Sequence, residues 1–356
     1  MGYLLKQLSA KPGLYFNIAV LALGVIGTAF VVSAEWYHTS SGAFTQCLFL
    51  LGGFILFLFF SSVHYEKWVR MDVFLYFFSL GLLALPIFWG HKRWIYLGPL
   101  SFQPYEFAKI GIVIFLASIL TKARKEKTFW KTTLLPFLFL VPPVLILIRQ
   151  PHFGACVVLL LTAGSMFWLS GIRLTHLLGA FFLSLLILAL LLPLEEYRLR
   201  RLTSAYENDP LAGGYQKRQA LIAIGSGGPF GKGFGNSVMK LGFLPEAHSD
   251  FLFAVVAEEL GFALTLILFF LPFLLLLLSG FSICLSAPSP RASLIAGGLT
   301  CLLFIQSMIN LSMVCLKFIP VTGIPLPFFT HGGSSLLSSF LTAGIISNIA
   351  RTKGFQ

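Results

Sequence analysis

The chain has 356 residues, 57% apolar side chains, only 13 Asp and Glu, and a formal net charge of +12. Its mean hydropathy is +0.88. A soluble globular domain is only about half apolar, so the composition excludes one and predicts an all-α, polytopic membrane protein.

Ten segments are expected to cross a bilayer, each close to the ~20 apolar helical residues that a hydrocarbon core takes. They are 14–34, 44–62, 71–89, 105–121, 134–148, 155–171, 174–194, 251–278, 292–315 and 332–350. Lys6 and Lys11 before the first run imitate a secretory signal. The run is longer than the roughly 7–15 residues of a signal core and reads as a span. With the N-terminus inside, inner segments hold thirteen Lys and Arg, against four in the short outer loops (Lys92, Arg93, Arg149 and Lys317). The positive-inside rule therefore puts both termini in the cytoplasm. This asymmetry explains the basic balance without nucleic acid, and KARKEKTFWK at 122–131 becomes a cytoplasmic hairpin.

After the third span comes GHKRWIYLGPLSFQPYEFAKI, 90–110. Pro104 opens a helix on which Glu106 and Lys109 share one side. Within a bilayer they either pair structurally or line a polar cavity. Arg93 and Trp94 sit at the outer interface, where Trp anchors and Arg suits phosphate. Pro142 and Pro143 should bend the fifth span, because proline removes a backbone donor.

Between the seventh and eighth spans lies a long polar connection, 195–250, expected on the outer side. It is too long for a plain connector in a compact protein. Its glycine-rich part, IGSGGPFGKGFGNS at 224–237, lacks the spacing of a nucleotide loop. It reads as a tight turn at the membrane surface whose N–H groups offer an anion site. The loop ends in LPEAHSDFLF, which brings Glu246, His248 and Asp250 to the mouth of the eighth span. A carboxylate at the bilayer boundary is costly and marks function. Glu246-x-His248-x-Asp250 is too weak a pattern for a protein-held metal site, so none is assigned. Glu258 and Glu259 follow two turns into the span and divide between helix packing and a substrate role.

The five cysteines all lie in or beside spans without metal-type spacing, and read as small apolar packing residues. The final connection, KFIPVTGIPLPFFTHGGSS at 317–335, carries three prolines and should be irregular. Such backbone is tolerated at membrane depth only inside protein or along a cavity. Gly332-Gly333-Ser334-Ser335 then opens the last span as a simple cap or an anion-binding helix start.

Four stretches together resemble the SEDS family (shape, elongation, division, sporulation) over nearly the whole chain. They are RWIYLGPLSFQPYEFAK, DPLAGGYQKRQALIAIGSGG, GNSVMKLGFLPEAHSDFLFAVVAEELGF and GIPLPFFTHGGSSL, in the family's order. The outer-loop match resembles the FtsW-like division branch and PVTGIPLPF the RodA-like elongation branch; the longer match favours the former. The resemblance implies a single ten-helix membrane domain over 1–356, with an outer catalytic loop at about 195–250. It implies a peptidoglycan glycosyltransferase of the bacterial cytoplasmic membrane that polymerises lipid II outside the cytoplasm. Its partners would be undecaprenyl-linked glycan, a class B penicillin-binding transpeptidase and other division or elongation proteins.

By the same resemblance, Asp250 is the catalytic base. Arg93, Trp94, Glu106, Lys109, Arg201, Lys240, Glu246, His248, Ser334 and Ser335 contact substrate. No tightly bound cofactor is expected; Mg²⁺ or Mn²⁺ would accompany the substrate pyrophosphate. Two positions depart from the family: His152 stands where its motif has an acid, and Thr330-His331 where it has Ser-Tyr. Two other functions fit the polar residues, a lipid II flippase and a non-catalytic scaffold.

Overall fold

The computed structural model describes residues 10–36, 40–90, 93–98, 100–123, 130–172, 179, 213–316 and 319–352. The expected seventh span, the first part of the long loop and Arg201 lie outside the described residues. The rest is almost entirely helical: α1 (Pro12–Glu35), α2 (Ser40–Ser62), α3 (Tyr65–Arg70), α4 (Asp72–Phe88), α5 (Pro104–Ala123), α6 (Leu135–Leu138), α7 (Val141–Arg149), α8 (Phe153–Leu169), α9 (Gly213–Gly227), α10 (Leu252–Thr265), α11 (Leu271–Leu285), α12 (Pro290–Cys315) and α13 (Gly333–Thr352). Among the described residues, six helical segments are long and apolar enough to cross a membrane, and α4 and α8 are shorter apolar helices. The chain is an integral membrane protein.

Local chemistry sets the helix starts. Pro12 and Pro290 sit in the first turn of their helices, where the missing N–H is not needed. The Ser289 hydroxyl caps α12 by accepting from Ala292 N at 3.1 Å. The bend expected near Pro142 falls between α6 and α7, with Phe139 and Leu140 at the break.

The centre of the bundle mixes apolar side chains with many small polar ones. Helices α12 and α13 are largely buried, although α13 carries Ser334, Ser335, Ser338, Ser339, Thr342, Ser347 and Asn348. Much of that polarity is consumed locally: Ser339 donates to Ser335 O, and Thr342 donates to Ser338 O. Small residues admit close approach elsewhere. A Cβ on Gly27 of α1 would lie 2.1 Å from Phe328 O, so α1 touches the last connection at backbone distance.

A two-stranded antiparallel hairpin, β1 (Ile95–Leu97) with β2 (Leu100–Phe102), was not expected in an all-α chain. The turn residues Gly98-Pro99 between two short apolar runs were its signal. The connection before α13 is irregular, as its prolines require. It is buried rather than exposed, with Phe328 and Phe329 both fully inside.

Candidate active site

Three segments distant in sequence meet at one open cavity of about 560 Å³. Arg93, Trp94 and Tyr96 come from the start of the hairpin. Glu246, His248, Ser249 and Asp250 come from the end of the long loop. Gly323, Thr330, His331 and Ser335 come from the final connection and the first turn of α13. Gln216 of α9 completes one wall. The volume suits one small polar ligand group, within the roughly 300–1,000 Å³ of typical ligand pockets.

Asp250 stands just before α10, half-buried on this wall. Asn310 of α12 fixes its backbone. Its Nδ2 donates to Asp250 O at 3.0 Å and to Ile324 O at 2.9 Å, tying the acid-bearing segment to the final connection. A second tie runs from His331 N to His248 O at 2.8 Å. Glu246 has a left-handed backbone (φ 58°) and its carboxylate accepts from Ser249 Oγ at 2.6 Å. Arg93 lies over Gly323, where a Cβ would come within 2.9 Å of Nη1. Any larger residue at 323 would therefore displace the guanidinium from its place at the cavity.

The two histidines share a carboxylate that the sequence reasoning missed. Glu35, the last residue of α1, places Oε1 3.7 Å from His248 Nδ1 and 3.5 Å from His331 Nδ1. The imidazoles cross nearly at right angles with centroids 5.4 Å apart. Burial, opposed by Glu35, holds the His331 imidazole below the usual histidine value; His248 lowers it further and Glu246 raises it. Glu35 was legible by the criterion applied to Asp250, a rare acid at the end of an apolar run.

Several residues named from sequence do not line the cavity. Glu106 and Lys109 are fully buried and pair with each other at 2.6 Å. Lys109 Nζ also donates to Gln306 of α12, and Ser338 of α13 donates to Glu106 Oε2 at 3.0 Å. Gln306 in turn donates to Pro325 O at 2.9 Å. The pair thus joins three helices and carries its influence to the cavity only through the final connection. Of the two readings open at the sequence level, the geometry is that of the structural ion pair.

Lys240 is likewise buried, with Nζ donating to Glu259 Oε1 at 2.9 Å and Ser33 Oγ at 3.0 Å. Ser334 faces the hairpin, accepting from Gln103 N at 2.9 Å. Ser335, by contrast, does line the cavity.

Most N–H groups of the glycine-rich segment are not free for an anion. Glu258 and Glu259 take them instead. Gly235 N and Ser237 N donate to the Glu259 carboxylate, and Val238 N and Met239 N to that of Glu258. Lys232 Nζ pairs with Glu258 Oε1 at 2.6 Å. Helix α10 breaks at Gly261 (φ 68°) to receive the segment. Lys232 N and Gly233 N donate to the carbonyls of Glu258 and Glu259, while Phe262 N and Ala263 N donate to Gly228 and Pro229. The two adjacent acids therefore clamp a loop onto α10.

Among the described residues no cluster of three or more His, Cys, Asp or Glu is arranged to hold a metal ion. His152, the departure in QPHFG, is buried edge-on to Tyr105 with ring centroids 5.3 Å apart.

A family model described as "Cell cycle protein" (FtsW, RodA, SpoVE) matches residues 14–354. The stage V sporulation protein E of Bacillus subtilis is 37% identical over 96% of this chain and 97% of its own length. A probable peptidoglycan glycosyltransferase FtsW of Trichlorobacter lovleyi is 32% identical, covering 94% and 91%. Among solved structures, a chain of a peptidoglycan synthase complex that coordinates polymerization and crosslinking superposes with a TM-score of 0.80 at 29% identity, covering 95% and 97%. The Thermus thermophilus rod shape determining protein RodA superposes at 0.71 and 28%, covering 95% and 96%. The chain spans its relatives nearly end to end, and it belongs to the FtsW/RodA/SpoVE family as an FtsW-like member.

Proposed function

We propose that this chain is a peptidoglycan glycosyltransferase, with Asp250 as the base that deprotonates the attacking sugar hydroxyl of lipid II. The observation that carries the reading is the half-buried Asp250 carboxylate on the wall of an open cavity that also holds Arg93 and Trp94. Relatives of nearly full length bear that activity in their names. The 4-hydroxyl of the acceptor N-acetylglucosamine attacks C1 of the donor muramyl sugar. The C1–O bond to undecaprenyl pyrophosphate breaks with inversion, and the hydroxyl proton passes to Asp250. A positioned base contributes about 10²–10⁴-fold to such a step. Arg93 stabilises the charge that develops on the leaving pyrophosphate, where a guanidinium binds phosphate oxygens in pairs. Trp94 packs against a sugar ring.

A divalent cation, Mg²⁺ or Mn²⁺, would accompany the substrate pyrophosphate, and Glu246 on the cavity wall is the carboxylate that would help hold it. Such a cation needs few protein ligands and would supply further charge neutralisation. The cavity faces the outer surface in this reading, both termini are cytoplasmic, and the partner is a class B penicillin-binding transpeptidase of the division machinery. Engagement of Glu106, Glu258 and Glu259 in buried pairs and clamps leaves them unavailable as a path across the bilayer. That favours transfer over lipid II translocation.

The test reconstitutes purified protein and partner with lipid II and a divalent cation, then resolves products by glycan length. Wild type should make polymer, and Asp250→Asn should not while retaining its thermal midpoint and partner binding. Polymer from Asp250→Asn would refute the base; lipid II movement across vesicles without polymer would establish the transporter instead.

A further inference from the structure

The clamped loop carries a second feature that the transfer reaction does not use. Between Gly231 and Met239, eight of the nine backbone N–H groups, all but that of Phe234, donate within the protein. Gly231, Lys232, Gly233 and Asn236 donate to carbonyls; Gly235, Ser237, Val238 and Met239 donate to the Glu258 and Glu259 carboxylates. An irregular loop in water has no need of this, because solvent satisfies its donors. In hydrocarbon an unsatisfied donor costs several kcal/mol, so irregular backbone survives there only if the protein supplies the acceptors.

The outward side chains have the matching character. Phe230 is 80% exposed, Phe234 59%, Leu241 52% and Phe262, on the broken helix beside Gly228, 73%. The two cations of 228–241, Lys232 and Lys240, are paired with Glu258 and Glu259. Position along the helix gives the depth. The loop bonds to residues 258–263, which lie roughly 9–16 Å beyond the start of α10 at 1.5 Å per residue. From Phe262 to Leu285 the remaining helix is roughly 36 Å long, against a hydrocarbon core of about 30 Å. Gly261 and the loop therefore fall at the boundary between headgroups and acyl chains.

We propose that residues 228–241 are a membrane-inserted loop, with Phe230 and Phe234 embedded among lipid acyl chains at the level of Gly261. The occupant of this apolar face is the lipid bilayer, not a protein partner. Because Glu246–Asp250 follows within a few residues, the inserted loop fixes the height of the candidate base relative to the membrane. The proposal does not depend on what reaction the cavity performs.

Site-directed spin labels at Phe230→Cys and Phe234→Cys, in full-length protein in nanodiscs, test it. Exposed Cys47 and Cys315 are first replaced by Ser. Phe77→Cys on the apolar outside of α4 and Glu66→Cys on α3 serve as lipid-facing and water-facing references. Relaxation by dissolved oxygen should exceed relaxation by a water-soluble nickel chelate at both loop sites, as at Phe77. Nickel dominance at both sites, as at Glu66, would overturn the insertion. So would nickel dominance that disappears only when the penicillin-binding partner is added, since the face would then be a protein-docking surface.

Discussion

Glu35 Oε1 lies 3.5 Å from His331 Nδ1, so the end of the first span and the connection before the last one meet as a buried carboxylate behind an imidazole of the cavity wall. Burial dominates this contact and keeps the His331 imidazole below its ordinary value of 6.5. The unfolded chain thus takes up this proton more readily than the folded one. The stability contributed by neutral His331 is present above pH 6.5 and is lost as pH falls through the lower folded value. Acidification from about pH 7.5 to about pH 5.5 should lower the thermal midpoint, and His331→Phe should flatten that dependence. An unchanged slope in the variant would place the acid sensitivity elsewhere.

The Glu106–Lys109 pair makes a different kind of prediction. Glu106→Gln alone leaves a buried ammonium without its carboxylate and should cost on the order of 3–5 kcal/mol. Glu106→Gln combined with Lys109→Met should recover most of it, because no uncompensated charge remains. Thermal midpoints in detergent measure both. A double variant that is well folded yet unable to polymerise lipid II would show a role beyond scaffolding.

Glu259→Gln should loosen the loop without touching the cavity wall. It weakens the acceptors of Gly235 N, Ser237 N and the Lys240 ammonium, which is fully buried in the intact protein. Limited trypsinolysis is the readout: cleavage after Lys240 should be slow in wild type and fast in the variant.

Glycines in and around the clamped loop should respond with opposite signs. A Cβ at Gly231 would lie 2.2 Å from Glu259 O, and one at Gly261 2.1 Å from Gly231 N, with both glycines at positive φ. Gly231→Ala or Gly261→Ala should destabilise by at least about 1–2 kcal/mol from the backbone conformation alone. Gly225, inside α9 with open space around it, should gain about 0.5–1 kcal/mol as Ala. Thermal midpoints decide this as well.

The helical spans and the residues of the cavity wall differ in how openly the sequence announces them. Apolar runs such as 14–34 and 292–315 are a local signal, and helices Pro12–Glu35 and Pro290–Cys315 fall on them. Asp250, Arg93 and Trp94 could be singled out because a charge or an indole at the bilayer edge needs a reason. What a single span does not encode is which acid meets which base. Lys240 and Lys109 look alike as lone cations, yet each is consumed by a carboxylate on its own side of the bundle. Gln306 and Asn310, both neutral, give no charge signal, although they hold the carbonyls of Pro325, Ile324 and Asp250.

Six N–H groups between Lys232 and Met239 pair with the carboxylates and carbonyls of Glu258 and Glu259, which makes that stretch intolerant of a change in length. Surface connectors ordinarily accept insertions and deletions. Here a single added residue would slide each N–H past its acceptor and turn Phe230 and Phe234 to new directions, so a one-codon duplication should prove more damaging than many changes of residue identity.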